Sequence, residues 1–358
     1  MRELNPAARP DLLVVAALPA HYQRDSAWTA KGTVSASERR TIVSPSAMTI
    51  NIGQRGYRLG SGVELDLAAA ASWDDLTTDW TAAANRAGRD FYLYACQQPG
   101  SRPRILCSAN ATVPVGHNAE TSRKVGGFHC LCVAAGVIAA HPMSGYLAGD
   151  IVPASVWDLR HRPVCSPEGM VYDPLSAIWV DIYLMSGTGA ASASACGATI
   201  TVNRTWLDMV DDLAAAGKRL PTDSEFQIFA AGSNERTNIA GSVSPGITGG
   251  YLDTAGRRMI SHIGVESACG VVYQWLQDQS FQVGGLPDTG DPGFSWYALP
   301  GSKGSLYRQG SSGDVKLRAG GFWNDGTNCG SRARTAIYTR WYSLSSSGGR
   351  GCARSLNA

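Results

Sequence analysis

Residues 318–334 read RAGGFWNDGTNCGSRAR, and the chain then enters a tail that is dense in Tyr, Ser and Gly. Glycines that suit tight turns, such as Gly320 and Gly321, alternate here with side chains that suit neither a core nor a catalytic centre. Antibody paratopes also favour Tyr, Ser, Gly and Asn, because Tyr offers amphipathic contact area at low entropy cost while the others adapt their hydrogen bonds. The composition therefore indicates a surface for recognition rather than for chemistry.

The length and composition favour two domains rich in strands and loops. The chain has 358 residues, which suits two domains or two with an additional N-terminal element. Hydrophobic residues make up 44%, enough for a core, while 41 glycines and a charged fraction of 17% argue against a helical bundle. Because 31 Lys and Arg residues stand against 29 Asp and Glu without a basic run, we expect no nucleic-acid partner.

The nine cysteines have no repeated CxxC spacing, and we expect them to be buried free thiols. His129, Cys130 and Cys132 place soft metal ligands close together, but a fourth is not evident and zinc normally takes four. The sequence therefore predicts no metal and no cofactor at this trio.

The apolar run at residues 12–20 faintly resembles a signal peptide, but it is short and Asp11 interrupts its approach, so we interpret it as part of the structure. No run in the chain approaches the roughly 20 apolar residues that a membrane-spanning helix needs. We expect no insertion into a membrane.

Alternating and β-branched residues predict strands in both halves of the chain. Residues 90–96 alternate in polarity, and residues 104–107 form a hairpin partner across the intervening turn. Residues 177–184 form a further predicted strand.

Three helices are predicted from apolar spacing and capping residues. One carries Trp206, Met209 and Leu213 on one face and ends at Gly217. A second begins with a capping box that runs from Thr222 to Glu225. A third would start at Ser72 and stop at Gly88, at residues 72–88.

Several motifs, taken in order, resemble a known family. Residues 217–221 with Glu225-Phe226, then residues 273–275, 320–324 and 332–334, resemble the C-type lectin fold in its formylglycine-generating-enzyme-like branch. Within that branch, residues 123–129, 155–163 and 181–184 resemble the variable proteins of diversity-generating retroelements, a family that includes receptor-binding proteins of phage tails. The resemblance covers residues 90 to 358.

In such variable proteins, errors in copying template adenines replace residues at fixed, solvent-exposed positions. The resemblance implies a variable region at residues 318–354. It implies these ligand-binding variable positions: Phe322, Asn324, Asp325, Gly326, Asn328, Thr335, Ile337, Tyr338, Tyr342, Leu344, Ser346 and Ser347. It implies that the scaffold residues Gly320, Gly321, Trp323, Gly330, Arg332 and Ala333 hold the backbone. All the variable positions carry residues that changes in the first two bases of an Asn codon can produce, whereas Trp341 cannot arise in that way.

Two other functions remain as alternatives. Formylglycine-generating oxidases share the Gly-Gly-x-Trp motif but need two reactive cysteines after it, whereas here Asp325 stands at the first position and Cys329 is out of step with the second. A sugar-binding lectin that depends on calcium would use Trp323-Asn324-Asp325, because calcium takes oxygen ligands, but its companion motif is reduced to Leu286-Pro287-Asp288. We expect no enzyme activity, and calcium as a cofactor belongs only to the lectin alternative.

The sequence and the resemblance together predict an α+β protein in three parts. Residues 1–45 are an unassigned N-terminal element, residues 46–150 a β-rich, sandwich-like domain, and residues 151–358 a C-type lectin fold. The last part would place two helices on a small, mostly antiparallel sheet with long loops.

The expected function is display of a hypervariable surface that binds a protein or glycan receptor on a target cell. The expected location is a phage or prophage virion tail, or an extracellular or cell-surface position. Analogy with the phage family implies a homotrimer.

Overall fold

The structure, a computed structural model, describes residues 28–44, 47–282, 295–298, 302, 304–308 and 313–356. The chain forms two compact units, which divide between Arg162 and Pro163. This division falls after the predicted boundary at residue 150, because the strand Trp157–Asp158 pairs with Gly126 and Gly127 of the first unit. The apolar run at residues 12–20 lies outside the described residues.

The described residues of the first unit form three antiparallel sheets. Its strands are β1 (Thr29–Ala30), β2 (Thr41–Val43), β3 (Met48–Ile52), β4 (Arg55–Leu59), β5 (Glu64–Asp66), β6 (Asp90–Gln98), β7 (Ser101–Ser108), β8 (Ser122–His129) and β9 (Trp157–Asp158). The sheet orders are β1-β2-β5, β3-β4 and β7-β6-β8-β9. Two short helices accompany them, α1 (Ala36–Arg39) and α2 (Ala83–Arg86). The predicted hairpin is confirmed, since β6 pairs with β7 and Leu93 lies opposite Cys107.

The core of the first unit lies between its large sheet and its smaller sheets. Phe91 and Val125 of the large sheet are buried in one cluster with Ile42 and Leu65 of the small sheet. This arrangement is the sandwich-like packing that the sequence predicts. Trp28 also belongs to the cluster, so residues 28–44 are part of this unit, and the prediction of a separate element up to residue 45 is wrong for them.

The helix predicted over residues 72–88 is also wrong. Ala70–Ser72 forms a 3-10 turn, and within residues 73–88 only α2 is helical. The carboxylates of Asp75 and Asp79 accept hydrogen bonds from the backbone N–H groups of Thr77 (3.0 Å) and Thr81 (3.1 Å). Such local side-chain bonds compete with helical hydrogen bonds and favour turns.

The described residues of the second unit form two sheets and two α-helices. Its strands are β10 (Met170–Asp173), β11 (Ile178–Asp181), β12 (Tyr273–Gln282), β13 (Ser295–Ala298), β14 (Ser305–Arg308), β15 (Gly313–Gly320), β16 (Gly330–Ala336), β17 (Ser347–Gly348) and β18 (Cys352–Arg354). The sheet orders are β10-β11-β18 and β13-β14-β16-β15-β12-β17, and among these described strands only the β12–β17 and β14–β16 pairs are parallel. The helices are α3 (Trp206–Ala215) and α4 (Asp223–Phe229).

Both predicted helices of the second unit are confirmed. The predicted capping box is present at Thr222 for α4, and α3 has a further capping box at Thr205. The apolar face of α3 buries Met209 and Leu213 against Trp275 of β12. Because an isolated helix this short is marginal in water, this packing supplies most of its stability.

Charged residues hold the second unit together from within. Lys218 Nζ lies 2.6 Å from the carboxylate of Asp181, and both side chains are buried. Arg350 is fully buried and donates to the carbonyl oxygens of Asp181 and Ile182 at 2.6 Å and to that of Glu266 at 2.7 Å. One guanidinium therefore ties three chain segments together.

Candidate functional site

The predicted variable positions lie mainly on two loops of the second unit. The first loop, residues 321–329, joins β15 to β16, and the second loop, residues 337–346, joins β16 to β17. Because β15 and β16 are neighbours in the sheet, both loops start from the same rigid base.

The first loop is held by a mixture of backbone and side-chain contacts. The N–H of Trp323 donates to the carbonyl of Val271 (3.1 Å), and the Asn238 side chain donates to the carbonyl of Trp323. Directly after the loop, the hydroxyl of Ser331 donates to the carboxylate of Glu235 at 2.6 Å. The conformation of this loop therefore depends on particular side chains elsewhere in the unit.

Two glycines at the entry of the first loop have no room for a side chain. Gly320 has φ +94°, and a Cβ there would lie 2.7 Å from the carbonyl oxygen of Ala268. Gly321 has φ +80°, and its Cβ would lie 2.7 Å from Cys329 Sγ. Positive φ and close approach of the backbone both require glycine, which supports the predicted scaffold role of these two residues.

The second loop is held by the backbone. Four N–H groups outside the loop donate to four carbonyl oxygens within it: Lys316 to Tyr338 (3.0 Å), Trp206 to Arg340 (3.1 Å), Asn203 to Leu344 (3.0 Å) and Tyr273 to Ser346 (2.9 Å). None of these bonds uses a side chain of the loop. Exchange of the loop side chains consequently leaves these backbone contacts available.

Most predicted variable positions are accessible to solvent, but two are not. Thr335 is 1% exposed and Ser347 is 0% exposed, so the prediction that they face solvent is wrong. Both residues lie within strands, where Thr335 pairs with Arg318 and the hydroxyl of Ser347 accepts a hydrogen bond from Arg318. Asn324 and Tyr342 are exposed, and the partly exposed members are Phe322, Asp325, Gly326, Asn328, Ile337, Tyr338, Leu344 and Ser346.

The aromatic side chains of the two loops form two stacks. In the second loop, the rings of Tyr338 and Tyr342 lie 4.3 Å apart. In the first loop, Phe322 stacks on Tyr273 of β12 at 5.8 Å and meets Trp323 edge-on at 5.0 Å. Trp341, which the codon pattern leaves out of the variable set, is 70% exposed and enlarges the aromatic surface of the second loop.

Arg318 of β15 lies beneath both stacks, and sequence reasoning did not single it out. It is 2% exposed, and its guanidinium carbon lies 4.4 Å from the ring centre of Tyr338, 5.0 Å from that of Tyr273 and 5.1 Å from that of Trp275. Burial lowers the pKa of Arg318 to about 10, so the side chain is still charged at neutral pH. The sequence alone does not indicate that Arg318 is buried, because a single arginine in a polar segment is usually a surface residue.

Asp325 is the acidic residue of the first loop. One of its carboxylate oxygens accepts a hydrogen bond from the N–H of Phe322 at 3.0 Å. Burial raises the pKa of Asp325 to about 6, and this N–H and the neighbouring Tyr273 oppose that rise. The calcium alternative relied on Asn324 and Asp325 together with Leu286-Pro287-Asp288, and the latter three residues lie outside the described residues.

The cysteines near the site lie in surroundings that disfavour a thiolate. Cys329 and Cys352 are buried, and burial raises the pKa of each thiol well above its ordinary value. The thiol of Cys329 donates to the carbonyl of Phe322 at 3.4 Å. A thiolate is the reactive form in oxidase chemistry, so these residues are poorly suited to it.

The remaining scaffold predictions concern residues at and beyond the first loop. Trp323 is partly buried and packs against a cluster that contains Leu184 and Met259. Gly330 and Ala333 are buried in β16, whereas Arg332 of the same strand is half-buried. The neighbouring Arg334 contacts Asp223 at the start of α4, which braces the strand against the helix.

Comparison with known proteins gives matches over most of the chain. A family model described as the Mtd second domain matches residues 39–158. The tail fiber receptor-binding protein of Bordetella phage BPP-1 is 30% identical over 287 residues, which cover 74% of this chain and 69% of that protein.

Solved structures agree with this match. The Major Tropism Determinant U1 Variant has a TM-score of 0.69 and 24% identity, covering 93% of this chain and 85% of that chain. The P3c Variant has a TM-score of 0.66 and 23% identity, covering 93% and 84%. These likenesses confirm the predicted α+β fold with its C-type lectin-like part.

Proposed function

The chain belongs to the family of phage tail fiber receptor-binding proteins, and on that premise we propose that it is a tropism determinant of a phage or prophage tail. The two loops would bind a receptor on the target cell. The receptor would be a protein or a glycan, and the variable positions would be those that the family resemblance implies, apart from the buried Thr335 and Ser347.

The observation that carries this proposal is the anchoring of the second loop. Carbonyl groups of Tyr338, Arg340, Leu344 and Ser346 accept hydrogen bonds from backbone N–H groups of fixed segments. Backbone bonds are independent of side-chain identity, so this loop can display many sequences in one conformation. A rigid scaffold that positions variable loops is the general arrangement of binding proteins.

Aromatic residues supply the contact area. Tyr342 is 48% exposed and Trp341 is 70% exposed, and the two are consecutive in the chain. Tyr and Trp dominate binding hot spots, because each buries a large area while losing few rotamers. We therefore assign these two residues the role of anchors in the complex.

Binding without catalysis fits the same surface. Cys329 and Cys352 are buried thiols, and the raised pKa of each keeps it protonated at neutral pH. The carboxylate of Asp325 accepts a hydrogen bond within its own loop. We also propose a homotrimer, which rests on the family analogy alone.

The test measures retention of the labelled full chain by a panel of intact bacterial strains. Against a strain that retains the parent chain, Tyr342→Ala should weaken retention by about tenfold or more, as loss of a hot spot does. Leu175→Ala is the matched control, since Leu175 is 55% exposed in the turn between β10 and β11. Retention that is unchanged in both Tyr342→Ala and Trp341→Ala would contradict the proposal.

Pretreatment of the cells separates the two receptor classes. If the receptor is a protein, protease treatment should abolish retention and periodate oxidation should spare it, whereas a glycan receptor should give the reverse result. The variable positions have an independent test in the neighbouring DNA. A near-copy of the coding stretch that differs at adenines, beside a reverse transcriptase, is expected there.

A further inference from the structure

Arg318 is a buried cation that has no carboxylate partner within the described part of the chain. Arg318 is 2% exposed, and the ion pairs of the described residues do not include it. The carboxylate of Asp325 acts on Arg318 through its field, and no ion pair joins the two in the described part of the chain. Two other buried arginines in this unit have a carboxylate partner, since Arg258 pairs with Glu266 at 2.6 Å and Arg334 contacts Asp223. A buried charge is costly unless something compensates it.

Three aromatic rings and one hydroxyl provide the compensation. Tyr338, Tyr273 and Trp275 face the guanidinium at 4.4, 5.0 and 5.1 Å, within the range of cation–π attraction. One guanidinium nitrogen, Nη1, donates to the hydroxyl of Ser347. Of these four partners, Tyr338 lies on the loop that faces solvent, and it is the partner predicted to vary with an accessible side chain.

Polar atoms around Arg318 have unused hydrogen-bonding capacity. Arg318 Nε and Thr335 Oγ1 are both buried and have no hydrogen bond to the described residues. The hydroxyl of Tyr273 differs, because it acts on the carboxylate of Asp325. Strand pairing places Thr335 directly opposite Arg318, so the two side chains lie on one face of the sheet. The guanidinium of Arg318 and the hydroxyl of Thr335 thus belong to one small environment.

We propose that Arg318 is the base of a concealed anion-binding site and that the residue at position 338 is its cover. With Tyr338 in place, the guanidinium is closed and the surface offers aromatic rings. With a small residue there, Arg318 and Thr335 face a ligand and bind a carboxylate, sulfate or phosphate group. The inference rests on the proposed function, because only a variable position 338 would make the cover exchangeable between related chains.

Chemistry favours an anion over a neutral ligand in the uncovered site. A guanidinium forms charge-assisted hydrogen bonds with oxyanions, and these are stronger than bonds between neutral groups. Loss of the Tyr338 ring removes the nearest of the three cation–π contacts, so the cation gains more from an incoming anion. Asp325 is the acidic group that opposes binding, because its carboxylate acts on Arg318.

The test uses sodium sulfate as the probe, against sodium chloride at equal ionic strength, with the full chain. Tyr338→Ser should show a saturable, sulfate-specific rise in Tm of about 3 °C. The parent chain and Tyr338→Phe should show no such rise, since each keeps a ring over Arg318. Adding Arg318→Lys to Tyr338→Ser should weaken sulfate binding at least severalfold, because Lys lacks the planar donor pair.

Each result decides the matter. An equal sulfate response in the parent chain and Tyr338→Ser would overturn the role of Tyr338, and no response in Tyr338→Ser would overturn the site. Tyr338→Asn is the second variant, and loss of cooperative unfolding in both would show that the ring is part of the core rather than a cover. Since cells take no part in this measurement, its outcome is separate from that of the retention experiment with Tyr342→Ala.

Discussion

The two loops that carry most of the predicted variable positions start from the same sheet but are held in different ways. The first loop depends on glycines with positive φ and on side chains such as Asn238 and Glu235. The second loop is held through its own carbonyl groups by backbone N–H groups of other segments. The difference indicates that a loop tolerates exchange of its side chains when its conformation does not depend on them.

Positions within the first loop also differ in whether the conformation of the loop depends on their side chains. Asn324 is exposed, whereas Asp325 uses its side chain to accept a hydrogen bond from the N–H of Phe322. A change at position 325 therefore alters the loop that displays it as well as the surface that it presents. In the second loop, Tyr338 is a comparable exception, because it packs against a core cluster that contains Trp275.

The largest effect on stability is expected at Gly320, where the first loop begins. Gly320→Ala should lower the free energy of unfolding by about 3 kcal/mol, since it adds backbone strain and a contact with the carbonyl of Ala268. Chemical denaturation measures the change. Gly326→Ala is the matched control, because Gly326 has φ +56° but open space around its Cβ position, and it should cost only about 1 kcal/mol. Equal losses would show that strain alone, and not close packing, makes Gly320 necessary.

An intermediate effect on stability is expected at the two stacked tyrosines of the second loop, and it should differ between them. Tyr338→Ala should cost about 2 kcal/mol, because it removes a partly buried ring and its contact with Arg318. Tyr342→Ala should cost less than about 0.5 kcal/mol, as is usual for an exposed side chain. Thermal unfolding measures both. If Tyr342→Ala proved as costly as Tyr338→Ala, the second loop would depend on its side chains after all.

The smallest effect is expected in the pH dependence of stability, through Asp325 of the first loop. The pKa of Asp325 is about 6 in the folded chain and about 4 in an unfolded one, so the folded state holds this proton more tightly. The contribution of Asp325 to stability is therefore fully present below pH 4 and is lost as the pH rises through 6. Asp325→Asn should have the higher Tm at pH 7.5, and its advantage should shrink by pH 4.5. A Tm difference that is independent of pH would show that Asp325 titrates normally.

The sequence predicted those parts of the fold that depend on neighbouring residues. The capping box of α4 and the β6–β7 hairpin rest on contacts between residues close in the chain, and both are present in the structure. The helix predicted from residue 72 failed because Asp75 and Asp79 bond to nearby backbone N–H groups, an alternative that apolar spacing does not register.

The sequence and the family resemblance predicted which loops form the candidate site, but not which of its residues are buried. Carrying over the family pattern located both loops, yet Thr335 and Ser347 are buried, because the contacts that bury them come from distant strands. Arg318 illustrates the same limit. Its partners Tyr273 and Trp275 lie more than 40 residues away in the chain, and only the pairing of β12 with β15 brings them together.

The placement of Arg350 and β18 after the two loops makes folding of the second unit depend on synthesis beyond them. β18 supplies an edge of the sheet that contains β11, and Arg350 donates to the carbonyl groups of Asp181, Ile182 and Glu266. A chain that is truncated within either loop lacks both, and the buried carbonyl groups of two segments lose their common donor. Truncated copies would thus fail to fold rather than compete with intact ones for places in the particle.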